Sequence, residues 1–298
     1  MQGEPTAYQF QTSQIRLSYF EWGPDDAPVV LLVHATGFHA RCWDRTVAAL
    51  PEGYRVIAVD MRGHGRSDKR EPYLWAAFGR DLAEFCAGLG LEGAIGVGHS
   101  MGGHCVTQVA AQAPATFTRL LLVDPVILDP EVYGTRQQEF ATAEDHPVSR
   151  RRNHWASWEE MFERFVDRAP FSLWRRDVLE DYCRYGVLPR ADGDGFELAC
   201  PPMVEASIYM GNSRTDVHDR IPGIQQPVVV LRARAREADS SAMDFSGSPT
   251  WPALAAEFPN GRDVYLPHLT HFIPMQDPEL VARFIADPAA SAEEPSAD

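Results

Sequence analysis

Basic residues are scarce in this chain: 27 Lys and Arg stand against 42 Asp and Glu, a formal net charge of −15. A protein that grips nucleic acid carries a basic stripe, so no nucleic-acid partner is expected, and the acidity reads as a solubility feature. Cysteine is sparse as well. Cys42, Cys86, Cys105, Cys183 and Cys200 make an odd number with no C-x-x-C pair. A disulfide framework needs pairs, so free thiols in a reducing compartment are expected. Ten histidines occur, yet no H-E-x-x-H and no Cys/His cluster has ligand spacing, so neither a metal nor another cofactor is expected. No apolar run reaches the roughly 18 residues of a membrane span. The N-terminal MQGEPTAYQF lacks a basic head and an apolar stretch, so no secretion signal is visible. The expectations are therefore a cytoplasmic protein, a small-molecule partner, no membrane, and a monomer or homodimer.

What is present is ample apolar material. The chain has 298 residues, 45% of them hydrophobic, enough to bury a core without metals or disulfides. Residues 29–35 (VVLLVHA), 54–61 (YRVIAVDM), 93–99 (GAIGVGH), 119–125 (RLLLVDP) and 227–233 (PVVVLRA) are short and β-branched. They do not alternate, which is the pattern of parallel strands buried on both faces. Residues 262–268 give a weaker sixth run, and QIRLSYFEW (14–22) alternates like an antiparallel edge strand. Helical patterns separate these runs. Residues 75–90 align Phe78, Leu82, Phe85 and Leu89 and close on Gly90, and residues 101–114 align Cys105, Val109 and Ala113 and stop at Pro114. Residues 279–287 offer Leu280 and Phe284 to a further helix. The alternation predicts an α/β protein with helices on both faces of a mostly parallel sheet.

About a hundred residues between Val123 and Val228 break this rhythm. They show no strand-like run and are rich in Trp, Arg and Tyr, so a helical subdomain is expected there. Its aromatics Trp155, Trp158, Phe162, Phe165, Phe171 and Trp174 read mostly as its own core, with some lining a pocket. The expected organisation is a core of 1–128 and 222–286, a helical cap of 129–221, and a flexible tail of 287–298.

The densest glycine run is GVGHSMGG, residues 96–103. A dinucleotide fingerprint, G-x-G-x-x-G, fails at its third glycine because Met101 stands there, and no phosphate loop with its Lys is present. The stretch does satisfy G-x-S-x-G from Gly98 to Gly102. That pattern serves a sharp strand-to-helix turn that projects a nucleophilic serine, here Ser100.

Four segments in order carry a resemblance: VVLLVHATGF, VDMRGHGRSD, GVGHSMGG and PHLTHFIPMQDPE. Together they resemble the α/β-hydrolase fold superfamily, framing about residues 10–285 and leaving the insertion, after the sixth strand, as the variable cap. The resemblance implies a Ser, acid, His order along the chain and a serine hydrolase of carboxylic esters, lactones or thioesters. Acyl transfer, carbon–carbon bond hydrolysis next to a ketone, and a ligand-binding receptor role are the alternatives. It implies Ser100 as nucleophile and His271, followed by Phe272 and later by Asp277-Pro278, as general base in preference to His268. The acid departs from the usual place after the strand at 228–232, where the lengthened loop offers Glu237, Asp239 and Asp244. Asp124, at the end of RLLLVDP, is preferred, with those three left open. The oxyanion donors are expected to be the amides of Met101 and Thr36, with Gly37 or Phe38 as alternatives to Thr36. His34 reads as a brace for that loop. Asp60, Arg62, Gly63, His64, Gly65 and Ser67 read as structural. The arginines at 150–152 read as a solvated face, with attraction of acidic substrates as the lesser option.

Overall fold

The computed structural model of the protein describes residues 3–135, 140–237 and 244–292. Among these, the strands are β1 (Thr6–Gln11), β2 (Arg16–Trp22), β3 (Val29–Val33), β4 (Arg55–Val59), β5 (Ala94–His99), β6 (Phe117–Val123), β7 (His154–Trp155), β8 (Val187–Pro189), β9 (Phe196–Leu198), β10 (Val228–Ala233) and β11 (Gly261–Leu266). The α-helices are α1 (Asp44–Ala49), α2 (Trp75–Gly88), α3 (Met101–Gln112), α4 (Pro130–Thr135), α5 (Trp158–Phe165), α6 (Arg176–Tyr185), α7 (Pro202–Met210), α8 (Leu254–Glu257), α9 (Ile273–Gln276) and α10 (Pro278–Ala286). None is long and apolar enough to cross a membrane.

Eight strands form one sheet in the order β1-β2-β4-β3-β5-β6-β10-β11. The pairs β1·β2 and β2·β4 are antiparallel; from β4 to β11 every pair is parallel. The strands carry apolar side chains on both faces because both faces are covered. Along β3, Leu31 and Val33 join Phe78, Leu82 and Phe85 of α2 and Val106 and Val109 of α3. Their neighbours Val30 and Leu32 join Trp43 and Val47 near α1 and Leu280 and Phe284 of α10 on the other face. Each such side chain contributes about 1.5–3 kcal/mol by leaving water.

Two features differ from the sequence expectation. The alternating segment at 14–22 is not the edge strand; β1 lies outside it. The β1 side chains are mostly exposed, so that strand carries no apolar pattern to read. The insertion between β6 and β10 also contains strands. Besides α4 to α7 it holds a small antiparallel sheet, β7-β9-β8, whose strands of two or three residues are too short to show periodicity. The insertion packs against the core through a third cluster, where Trp155, Met161, Trp174, Leu179 and Tyr182 meet Phe38, Phe272 and Met275. Residues 287–292 follow α10; residues 293–298 lie outside the described chain.

Candidate active site

The parallel strands end side by side, and the loops leaving their carboxyl ends converge, the usual place for a site in an open α/β sheet. β5 ends at His99, α3 begins at Met101, and Ser100 alone makes the turn, with φ 57° and ψ −117°. Its N–H donates to Val123 O at 3.0 Å, and its carbonyl accepts from Val126 N–H at 3.2 Å. These bonds hold a backbone conformation that a non-glycine residue rarely adopts. Among the described non-glycine residues one other has positive φ: Asp124, at 44°, just past the end of β6. Such outliers concentrate at functional sites.

His271 sits between these two residues. Its Nε2 is 3.0 Å from Ser100 Oγ, and its Nδ1 is 2.7 Å from Asp124 Oδ2. The imidazole is nearly fully buried. The backbone N–H of His271 donates to Phe245 O at 3.3 Å, its backbone carbonyl accepts the His99 Nε2–H at 2.8 Å, and the Phe245 ring stacks on the imidazole at 5.6 Å. Asp124 is fully buried. Its second oxygen, Oδ1, accepts the Ala233 N–H at 2.9 Å and the Ser248 hydroxyl at 2.6 Å, with Thr250 Oγ1 at 3.3 Å. The lengthened loop after β10 therefore supplies hydroxyl donors to this carboxylate. Ser248 and Thr250 escaped the sequence reading, because nothing in SGSPT marks a serine as a partner of a residue 124 positions earlier.

The other candidates lie elsewhere. His268 is exposed on the turn after β11. Asp244 Oδ1 accepts the Ser246 N–H at 2.8 Å, Glu237 is exposed, and Asp239 lies outside the described residues.

The loop after β3 carries the amides of Thr36, Gly37 and Phe38. Gly37 N–H donates to His64 Nε2 at 2.9 Å and Phe38 N–H to Ala35 O at 3.2 Å. Thr36 N–H has no hydrogen-bond partner among the described residues. Two buried histidines fix this loop. His34 Nδ1–H donates to Ala35 O at 2.7 Å, and its Nε2 accepts the Met61 N–H at 3.0 Å. His64 Nδ1–H donates to Arg62 O at 2.9 Å. Burial drives both imidazoles toward the neutral form, His34 well below its ordinary value and His64 to about 3. Each ring therefore keeps one donor and one acceptor. Arg62 is itself held by Asp81, at 2.7 and 2.8 Å, inside the core. The residues of DMRGHGRS thus support the loop from behind.

A cavity of about 150 Å³ opens beside Ser100 and His271. The loop at 35–38 forms one wall; Phe171, Trp174, Tyr182, Tyr209, Phe245 and Phe272 form most of the rest. Arg151 and Glu205 also line it. This corrects one sequence expectation. Arg150 is exposed and the exposed Arg152 pairs with Glu160 at 2.6 Å, as a solvated face would have it. Arg151 instead turns inward, bonded to Glu205 and, at 3.2 Å, to the Tyr182 hydroxyl. A run of three arginines gives no signal for which one points in. Burial raises the Glu205 pKa, against the opposing pull of Arg151.

Comparison with known proteins agrees with this architecture. The model of the alpha/beta hydrolase family matches residues 30–284. A bifunctional esterase/perhydrolase of Acinetobacter calcoaceticus is 26% identical over 288 residues, covering 90% of this chain and 93% of that protein. Among solved structures, E-2-(acetamidomethylene)succinate hydrolase superposes with a TM-score of 0.74 at 22% identity, over 95% of this chain and 98% of that one. The enol-lactonase from Burkholderia xenovorans LB400 gives 0.67 at 21% identity, over 94% and 98%. The fold is shared with both solved structures, and the family match runs from β3 into α10: this chain belongs to the alpha/beta hydrolase family.

Proposed function

We propose that the protein is a serine hydrolase of carboxylic esters or lactones, with Ser100 as nucleophile, His271 as general base and Asp124 as the orienting acid. The observation that carries the reading is the continuous chain from Ser100 Oγ through His271 to Asp124, at 3.0 and 2.7 Å, beside a largely aromatic cavity. A free serine hydroxyl is a weak nucleophile and needs a base within hydrogen-bond reach. His271 Nε2 takes the Ser100 proton as Oγ attacks the acyl carbon. Asp124 fixes the Nδ1–H tautomer and stabilises the imidazolium. Negative charge develops on the former carbonyl oxygen, and the amides of Met101 and Thr36 receive it. The Met101 amide opens α3, where the first N–H groups have no partner inside the helix. Collapse of this intermediate releases the alcohol with the proton from His271. Water, activated by the same imidazole, then hydrolyses the acyl-enzyme. The insertion closes over the acyl group as a cap. The esterase/perhydrolase and enol-lactonase named above support ester and lactone substrates.

The test is a p-nitrophenyl ester together with a fluorophosphonate probe. The wild-type protein is expected to release a burst of p-nitrophenol and to be labelled at Ser100; Ser100→Ala is expected to lose both. Turnover that persists in Ser100→Ala would assign the chemistry to another residue.

A further inference from the structure

We infer that the substrate's acyl part carries a carboxylate, which Arg151 and Tyr182 receive; the inference rests on the hydrolase reading above and names its substrate class. Arg151 is the one cation among the described residues that line the cavity. A guanidinium has five N–H donors. Here Nη1 gives one to Glu205 and Nη2 gives one to the Tyr182 hydroxyl. Nε and the second hydrogen of each terminal nitrogen have no partner among the described residues. The Arg151 side chain keeps 27% of its exposure, against 5% for Glu205, and Arg151 and Tyr182 both line the cavity. The Tyr182 hydroxyl accepts from Arg151 and keeps its own hydrogen to give. The planar guanidinium, whose fork of N–H groups matches a carboxylate, thus stands beside the Tyr182 hydroxyl and the Glu205 carboxylate in a wall that is mostly aromatic.

A purely structural role explains this pair less well. Ion pairs in a cavity wall gain little over apolar packing of the same volume. Glu205 reaches the oxyanion loop, since a Cβ at Gly37 would lie 2.5 Å from its Oε1. It therefore serves to carry the arginine when no ligand is bound and to hold its fork in register. The acyl part is the fragment that stays on Ser100 in the proposed cycle, so it is the part the cavity beside Ser100 must hold. A cavity of this size takes a fragment about as large as benzene. A half-ester of a four- or five-carbon dicarboxylic acid fits that bound. The net charge of −15 repels such an anion at long range, so recognition has to come from short-range contacts with Arg151.

The test compares monoethyl succinate and monoethyl glutarate with ethyl butyrate and ethyl valerate, followed by pH-stat with the full chain. The quantity read is the ratio of kcat/KM, half-ester over neutral ester. The wild-type ratio is expected to exceed one by at least about tenfold, and Arg151→Met to lower it by about 10- to 100-fold, as loss of a charge-assisted bond would. Arg151→Met strands the buried Glu205, so the double variant Arg151→Met/Glu205→Gln repeats the measurement without an unpaired charge. Glu205→Gln alone is expected to keep or raise the ratio, because the arginine is then uncompensated. A wild-type ratio near one, or a ratio that survives the loss of Arg151, overturns the inference while neutral-ester turnover and fluorophosphonate labelling leave the hydrolase reading standing. No turnover of either class and no labelling overturn both.

Discussion

Asp124, the carboxylate proposed to orient His271, is surrounded by donors on both oxygens. One oxygen is spent on His271 and the other on the Ala233 amide and the Ser248 hydroxyl. All of these partners are donors, so the site is built for a side chain whose two oxygens both accept. Asparagine has the same shape but places an NH2 against one of those donors. Asp124→Asn is therefore expected to lower kcat by about 10⁴-fold, the magnitude of losing the correct histidine tautomer. Asp244→Asn should leave ester turnover close to wild type, because that carboxylate caps its own loop at Ser246. Steady-state kinetics on one p-nitrophenyl ester, with circular dichroism to show that both variants fold, decides between them; equal losses would remove Asp124 from the proposed role. At this scale the sequence was only partly legible. The four acids were visible as candidates, but pairing across 147 residues depends on strand order, and local composition does not encode that.

The turn between β5 and α3 shows the same limits from the other side, because there nearly everything was legible. Its glycines are dictated by contacts rather than by backbone angle. A Cβ built at Gly98 would lie 2.4 Å from the Gly102 carbonyl carbon, and one at Gly102 would lie 2.1 Å from Val33 O. Both obstacles are backbone atoms at the ends of packed elements, and these have nowhere to move. Gly102→Ala is thus expected to destabilise by about 3 kcal/mol or more, the upper end for overpacking. It should also displace Ser100 from His271, lowering turnover beyond the stability loss. Thermal melting and fluorophosphonate labelling measure the two effects; a variant with wild-type melting and labelling would contradict the close approach. A tight turn with an obligatory residue pattern leaves its mark in a few consecutive letters, as do β3 to β6 and β10, whose side chains are buried on both faces. β1 leaves none because its face is wet, and β7 to β9 leave none because they are short. Arg151 faces the cavity through the path of the insertion's backbone, which no period of two or 3.6 reports.

The molecule as a whole buries several histidines uncharged, and this sets its response to acid. His34, His39, His64, His99 and His104 all have lowered pKa values, with burial as the leading cause in each: His39 and His104 fall to about 4 and His64 to about 3. In the unfolded chain these groups protonate near 6.5. The unfolded state thus takes up protons first as the pH falls. Stability is full above about 6.5 and drops below it, by up to about 1.4 kcal/mol per pH unit for each group. Two effects oppose the loss. Buried carboxylates with raised pKa values, Asp44 at about 6 and Asp60, Asp81, Asp181 and Glu205 in the same direction, protonate more readily in the fold and relieve it on acidification. The net negative charge also shrinks toward the pI of about 5.1, easing a repulsion that salt already screens. The histidine term begins at higher pH and involves larger shifts, so it dominates between pH 7 and 5.5 and amounts to several kcal/mol, a large share of a typical stability of about 5–15 kcal/mol. The melting temperature is expected to fall by at least about 10 °C from pH 7.0 to pH 5.5, and ester turnover to vanish with the fold because His34 and His64 hold the loop that carries the Thr36 amide. Melting curves followed by circular dichroism in 0.15 M salt check this directly. A melting temperature that is unchanged or higher at pH 5.5 would mean that the carboxylates and the relaxed charge outweigh the histidines.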